Sequence, residues 1–335
     1  MSGLEAIRRG EDAEREGDFL QASAAYEAAR DDPDPLVAGD AHFHLGRAAW
    51  RQGRFDVAIA AFEAARAIAL QHGADTLRAQ TENGIGAVHY ARGEYAQARA
   101  AYDVALAFTS DPVMRAKIQL NLGVIANIEG DLPTARAMYA RSRSVFREAG
   151  DTAFEALALY NLGMLHADQR EWDEADEAYR LTLDVCEARG DRQMLANVLV
   201  NRSEVSSGRG RHDDAIAGCD RALTIYVELG DEVGRGEALR WKGHALRLLG
   251  RPGASERVLL EAVRSAQRTQ VLLLEAEASR EIGEIMVERR DALAARTWLS
   301  RALELFEKLG AAPDIADTRE ALLSLESDSR HDPRS

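Results

Sequence analysis

The side chains able to do covalent or metal chemistry stand along this 335-residue chain without a spacing that would let them act together. His42 and His44 are at i and i+2, which on a helix turns them to different faces, and neither HExxH nor CxxC occurs. Gly84-Ile85-Gly86 and Gly208-Arg209-Gly210 carry phosphate-loop glycine spacing but follow no strand signal, and the second reads as a helical turn. His89 and His166 recur at one packing position and read as core histidines. Cys186 and Cys219 fall on successive second helices and read as small buried apolar side chains. Ser, His and Asp are plentiful but share no motif. No enzyme, no cofactor and no metal site is expected.

What does recur is an amide. Asn121, Asn161 and Asn201 are spaced by 40 residues. An amide offers both a donor and an acceptor, so a row of them could pair with the backbone of an extended peptide whatever its sequence. Equally, each amide could bond the neighbouring element and belong to the wall.

The elements that carry this row are best seen in Asn161 to Asp191. Leu162, Gly163 and His166 share one helical face, a polar turn runs from Gln169 to Glu171, and Trp172, Ala175, Tyr179 and Thr182 share a second face. That pattern predicts an antiparallel helical hairpin, which cannot bury its apolar side alone. Copies are present. Gly10, Gly46, Gly86, Gly123, Gly163, Ser203, Gly243 and Gly283 align at steps of 36, 40, 37, 40, 40, 40 and 40 residues. Twelve residues after each stands Ala or Ser, and four later a large or apolar residue: Tyr26, Phe62, Tyr102, Tyr139, Tyr179, Cys219, Leu259 and Leu299. Small residues at fixed places let helices approach, and the large one fills the gap between hairpins.

At Leu45-Gly46, Ala58, Phe62 and Ala65, and again at Leu162-Gly163, Ala175 and Tyr179, the chain resembles the tetratricopeptide repeat family, over residues 3 to 310. The resemblance implies an all-α fold, a right-handed α-solenoid of antiparallel helix pairs. Eight repeats are placed at about 3–36, 39–72, 79–112, 116–149, 156–189, 196–229, 236–269 and 276–309 as one continuous array. A capping helix is expected at 313–326 and a disordered tail at 327–335. The polar substitutions Arg202 and Lys242 at the Leu162-like place, with His212 and Pro252 after the turns, predict looser packing in repeats six and seven.

The resemblance also implies that the first helix of each hairpin lines a concave groove. Carried over repeat by repeat, its peptide-binding positions include Phe43, Arg47, Trp50, Asn83, Tyr90, Lys117, Asn121 and Asn127. Further along they include Tyr160, Asn161, Asn201, Arg240, Trp241, His244, Arg247 and Arg280. The aromatic residues Phe43, Trp50, Tyr90 and Tyr160 come first, and charges follow, with Glu204, Glu237 and Glu284 among the cations. An apolar stretch beside a charged one suits a peptide with a hydrophobic anchor and a charged segment; the same residues also fit an inner packing layer and a solvated face. No three consecutive repeats supply the Lys, Asn and Arg set of the family's two-carboxylate clamp.

Function by this resemblance is that of an adaptor, a scaffold gripping a peptide segment of a partner protein. The alternative is a sensor or regulator that responds to a peptide or small ligand and acts through a partner, since repeats near 40 residues are also similar to those of bacterial peptide-pheromone sensors. The 42 basic and 56 acidic side chains leave a formal charge of −14, which works against binding nucleic acid or an anionic membrane. The N-terminus has no apolar signal-peptide core, and no stretch approaches the ~20 apolar residues of a span, so a cytoplasmic protein is expected. Residue usage rich in Ala, Arg and Gly points to a GC-rich bacterium.

Overall fold

The computed structural model describes residues 2–331, with side chains through residue 325. Among the described residues all seventeen regular elements are α-helices, and successive helices pack in pairs. They form two compact units, residues 1–158 and 159–335.

The first unit contains α1 (Gly3–Arg15), α2 (Phe19–Glu27), α3 (Pro35–Arg51) and α4 (Phe55–His72). It continues with α5 (Asp75–Ala91), α6 (Tyr95–Ala107), α7 (Pro112–Ile128) and α8 (Leu132–Ala149), and ends within α9 (Thr152–Asp168). Helix starts follow the local chemistry. Asp34 and Asp111 accept backbone N–H bonds from Leu36 and Met114, each at 2.9 Å, with Pro35 and Pro112 in the first turn where no donor is lost.

Tyr26, Phe62, Tyr102 and Tyr139 are buried, each worth roughly 1.5–3 kcal/mol of removed apolar surface. Each ring packs against the glycine sixteen residues earlier in the partner helix; a Cβ at Gly46 would come 2.6 Å from Phe62, and one at Gly86 2.5 Å from Tyr102. Gly84 meets Phe62 in the same way, at 2.6 Å. The Gly84-Ile85-Gly86 pair is therefore a double notch in α5 that receives one ring on each side.

The second unit takes up the rest of α9 and adds α10 (Trp172–Arg189), α11 (Arg192–Gly208), α12 (His212–Leu229) and α13 (Glu232–Leu248). After these come α14 (Pro252–Thr269), α15 (Leu272–Glu288), α16 (Ala292–Leu309) and α17 (Ala312–His331). Gly190 and Gly230 close α10 and α12 at φ 67° and 69°, and Asp191 and Asp231 cap the following helices. The carboxyl-terminal helix lays Thr318 and Leu325 inward. It runs past residue 326 to His331, and the last residues of the expected disordered tail lie outside the described residues.

Two expectations are corrected here. Repeats six and seven are not loosely packed: Ala215, Cys219, Ala222, Leu259 and Ala262 are all fully buried. Four of the departures have matching partners. Ser203 replaces the glycine where Cys219 replaces the ring, Ser255 Oγ donates to the Gly243 carbonyl at 2.7 Å, Arg202 Nε donates to Asp176 Oδ1 at 2.7 Å, and Lys242 pairs with Asp220. Nor are His89 and His166 core residues. Both are part-buried in the last turn of a first helix, with Nδ1 2.5 Å from Oε2 of Glu94 and Glu171, so they latch that helix to the start of its partner. Helical period assigned the face correctly, but the chain doubles back there and exposes the helix end.

Candidate binding face

The first helices of successive hairpins touch one another within each unit, α1 with α3 and α3 with α5, and likewise α11 with α13 and α13 with α15. Their shared face carries the residues expected to bind.

In the first unit, Phe43 packs in tilted contact with the Phe62 ring at 5.9 Å, and the Arg47 guanidinium lies 5.9 Å from the Phe43 centroid while Nη2 donates to Glu14 Oε2 at 2.7 Å. Trp50 and Tyr90 remain exposed, at 38% and 37%. Asn121 Nδ2 donates to Asn83 Oδ1 at 3.3 Å, joining α7 to α5. Lys117 stands 4.0 Å over the Phe154 ring and 3.4 Å from Asp151, and Asn127 is part-buried. Two clefts open on this unit. One, of about 610 Å³, is lined by Asp40, Phe43, His44 and Arg47; the other, of about 550 Å³, by Gln80, Phe108, Met114 and Lys117. Burial and the adjacent Arg47 push His44 down to about 4, leaving it neutral as it stacks on Tyr26 at 5.0 Å.

In the second unit, Tyr160, Asn201, Arg240 and Trp241 come together around a cleft of about 480 Å³. Asn201 Nδ2 donates to the Tyr160 hydroxyl at 2.9 Å, and the Tyr226 hydroxyl donates to Asn197 Oδ1 at 2.8 Å. Arg240 lies 4.4 Å over the Trp241 ring, with Nε 3.1 Å from Glu277 and 3.4 Å from Glu237. His244 packs edge-on against Trp241 at 5.5 Å, with Nδ1 2.7 Å from Glu281. Arg247 reaches Glu281, Glu284 and Glu288 at 3.2, 2.7 and 3.0 Å. Arg280 is outside this cluster, bonded to Asp314 at 2.6 Å and lying 5.1 Å from the Phe306 centroid. Burial pushes the carboxyls of Glu204, Glu277 and Glu284 up from the usual carboxylate range, against the pull of the arginines.

The two cysteines are buried, and that burial pushes both thiols up to about 11, which keeps them protonated and unreactive.

Several residues of the cleft went unread in the sequence. Glu277, which pairs with Arg240 beside the cleft, occupies the same place in its repeat as Glu237, so register could have found it. Asp168, Tyr179 and Tyr226 reach the cleft from a helix end and from second helices, which no first-helix pattern reports.

Family models described as tetratricopeptide repeat match residues 7–71 and 114–188. The chain is a tetratricopeptide repeat protein. Solved structures similar to this tetratricopeptide repeat chain include the apo form of RapI, with a TM-score of 0.66 at 14% identity, covering 81% of this chain and 98% of that one. Rap protein complexed with Competence and Sporulation Factor matches with a TM-score of 0.64 at 12% identity, covering 97% and 96%. Aspartyl phosphate phosphatase F from Bacillus subtilis follows with a TM-score of 0.58 at 10% identity, covering 97% and 94%. No curated protein matches the chain. At these identities the likeness shows the repeat fold. Among the described residues no helix is long and apolar enough to cross a membrane.

Proposed function

We propose that this chain is a non-catalytic scaffold that captures an extended segment of a partner protein along its first-helix faces. The observation that carries this reading is the cleft of the second unit, where aromatic rings and part-buried amides from α9, α11 and α13 converge on one open space. Rings supply anchoring area and amides supply bonds to a peptide backbone, while the interhelix bonds Asn201–Tyr160 and Tyr226–Asn197 hold both in place before a guest arrives.

A photo-crosslinking residue at position 164 tests this, because Met164 is exposed and lines the cleft. In extract from the source organism, position 164 yields an adduct with a partner chain, whereas position 227, where Val227 is exposed on α12, yields none. Adducts from both positions, or from neither, defeat the reading.

A second reading, a sensor whose ligand alters its action on a partner, draws support from the likeness to Rap complexed with Competence and Sporulation Factor. Such a sensor changes its scattering radius when a short ligand binds, and a plain adaptor does not.

A further inference from the structure

Resting on the groove reading, we infer that the cleft of the second unit takes a cationic side chain, a lysine or arginine of the captured peptide. The walls are the first reason. Tyr160, Tyr226 and Trp241 line the cleft, and the faces of such rings attract cations, most strongly the indole. Trp241 already receives the guanidinium of Arg240 from within the chain.

The charge balance is the second reason. Six carboxylates, Glu204, Glu237, Glu277, Glu281, Glu284 and Glu288, share this stretch of first-helix face with Arg240, Arg247 and His244. Arg240 is divided between two of them and Arg247 among three. Glu204 lines the cleft, is part-buried, and has neither a hydrogen bond nor an ion pair among the described residues. A carboxylate withdrawn from water and left beside others of its kind is stabilised by an arriving cation.

The third reason is the set of amides at the cleft. Asn201, which lines the cleft, keeps its carbonyl oxygen after donating to Tyr160, and Asn197 keeps its amide N–H groups after accepting from Tyr226. Those groups suit the main chain that carries the basic residue. Among the described residues no three acidic, His or Cys side chains converge as metal ligands, which together with the aromatic walls favours an organic cation over a metal ion.

The test uses the full chain and a displayed library of random nonapeptides, read by sequencing the retained fraction. The retained set is enriched in Lys or Arg at one position. Replacing that Arg by citrulline, its neutral isostere, weakens binding about tenfold. Glu204→Gln weakens the Arg peptide to a similar degree, leaves the citrulline peptide unchanged and does not lower the thermal melt; Glu237→Gln provides an independent second variant. A retained set without basic enrichment, or unchanged affinity in both variants, overturns the cationic assignment and leaves peptide capture standing. An empty retained set overturns both.

Discussion

Asn201 donates its side-chain amide to the hydroxyl of Tyr160 at 2.9 Å, tying α11 to α9 across the floor of the cleft. One member of the repeated asparagine row is thus part of the wall and still faces the open space, whereas Asn161 makes no such bond among the described residues.

Asn201→Ala therefore lowers stability by about 1 kcal/mol, the net worth of one such hydrogen bond. Asn161→Ala leaves the melt where it is and weakens peptide capture. Thermal melts and calorimetry on both variants check this; equal loss of stability in the two would assign the whole row to structure.

Ser203 and Cys219 replace the glycine and ring of the other hairpins, and Cys219 is fully buried. Cys219→Tyr alone forces a ring against Ser203 and costs about 1–3 kcal/mol by overpacking. Adding Ser203→Gly opens the notch that Gly46 offers Phe62, and the double variant recovers a coupling of about 1 kcal/mol or more. Denaturant titration of the four proteins measures that coupling, and simple additivity would contradict it.

Arg170, Gln270 and Arg290 hold φ of 57°, 59° and 61° at turn and cap positions where other repeats have glycine. An L side chain is strained there, so Arg170→Gly and Gln270→Gly each stabilise by about 0.5–1 kcal/mol, the relief exceeding the added freedom of the unfolded chain. A lower melting temperature in either variant would refute the assignment of strain.

Stability of the second unit depends on pH with two limbs of opposite sign. Glu204, facing Arg240, Asp168, His244 and Glu277, has a raised carboxyl pKa, as do Glu277 and Glu284, chiefly through burial. Such groups bind more protons folded than unfolded, so stability falls as pH rises through their raised values. Burial also acts on Asp176 and Glu281, but hydrogen bonds from Arg202 and Arg211 in the first case and His244 in the second hold them low. Their contribution is lost as pH falls through those lowered values. The melting temperature rises as the pH falls from the raised values of the first group toward the ordinary carboxylate range, and drops as the pH falls below that range. Glu204→Gln flattens the upper limb, which a pH series of melts detects.

The hairpins were legible because their cause is local and repeated. A glycine and a ring sixteen residues apart meet on two helices joined by a short turn, so spacing reports contact directly. Asp and Gly at the connectors announced their caps in the same way. The compensations were less visible: Arg202 with Asp176, or Ser203 with Cys219, reads as a defect until both partners are seen together.

Period and residue size alone determined that this chain is a set of paired helices, since an amphipathic hairpin has no other way to bury its apolar side. Only the tertiary structure decided which face residues are already engaged. Arg47, His244 and Arg247 are committed to carboxylates of neighbouring hairpins, Glu204 makes no hydrogen bond or ion pair among the described residues, and Tyr179 and Tyr226 join the cleft from second helices. Those pairings depend on the distance between side chains of different hairpins, a quantity that spacing along one helix does not contain.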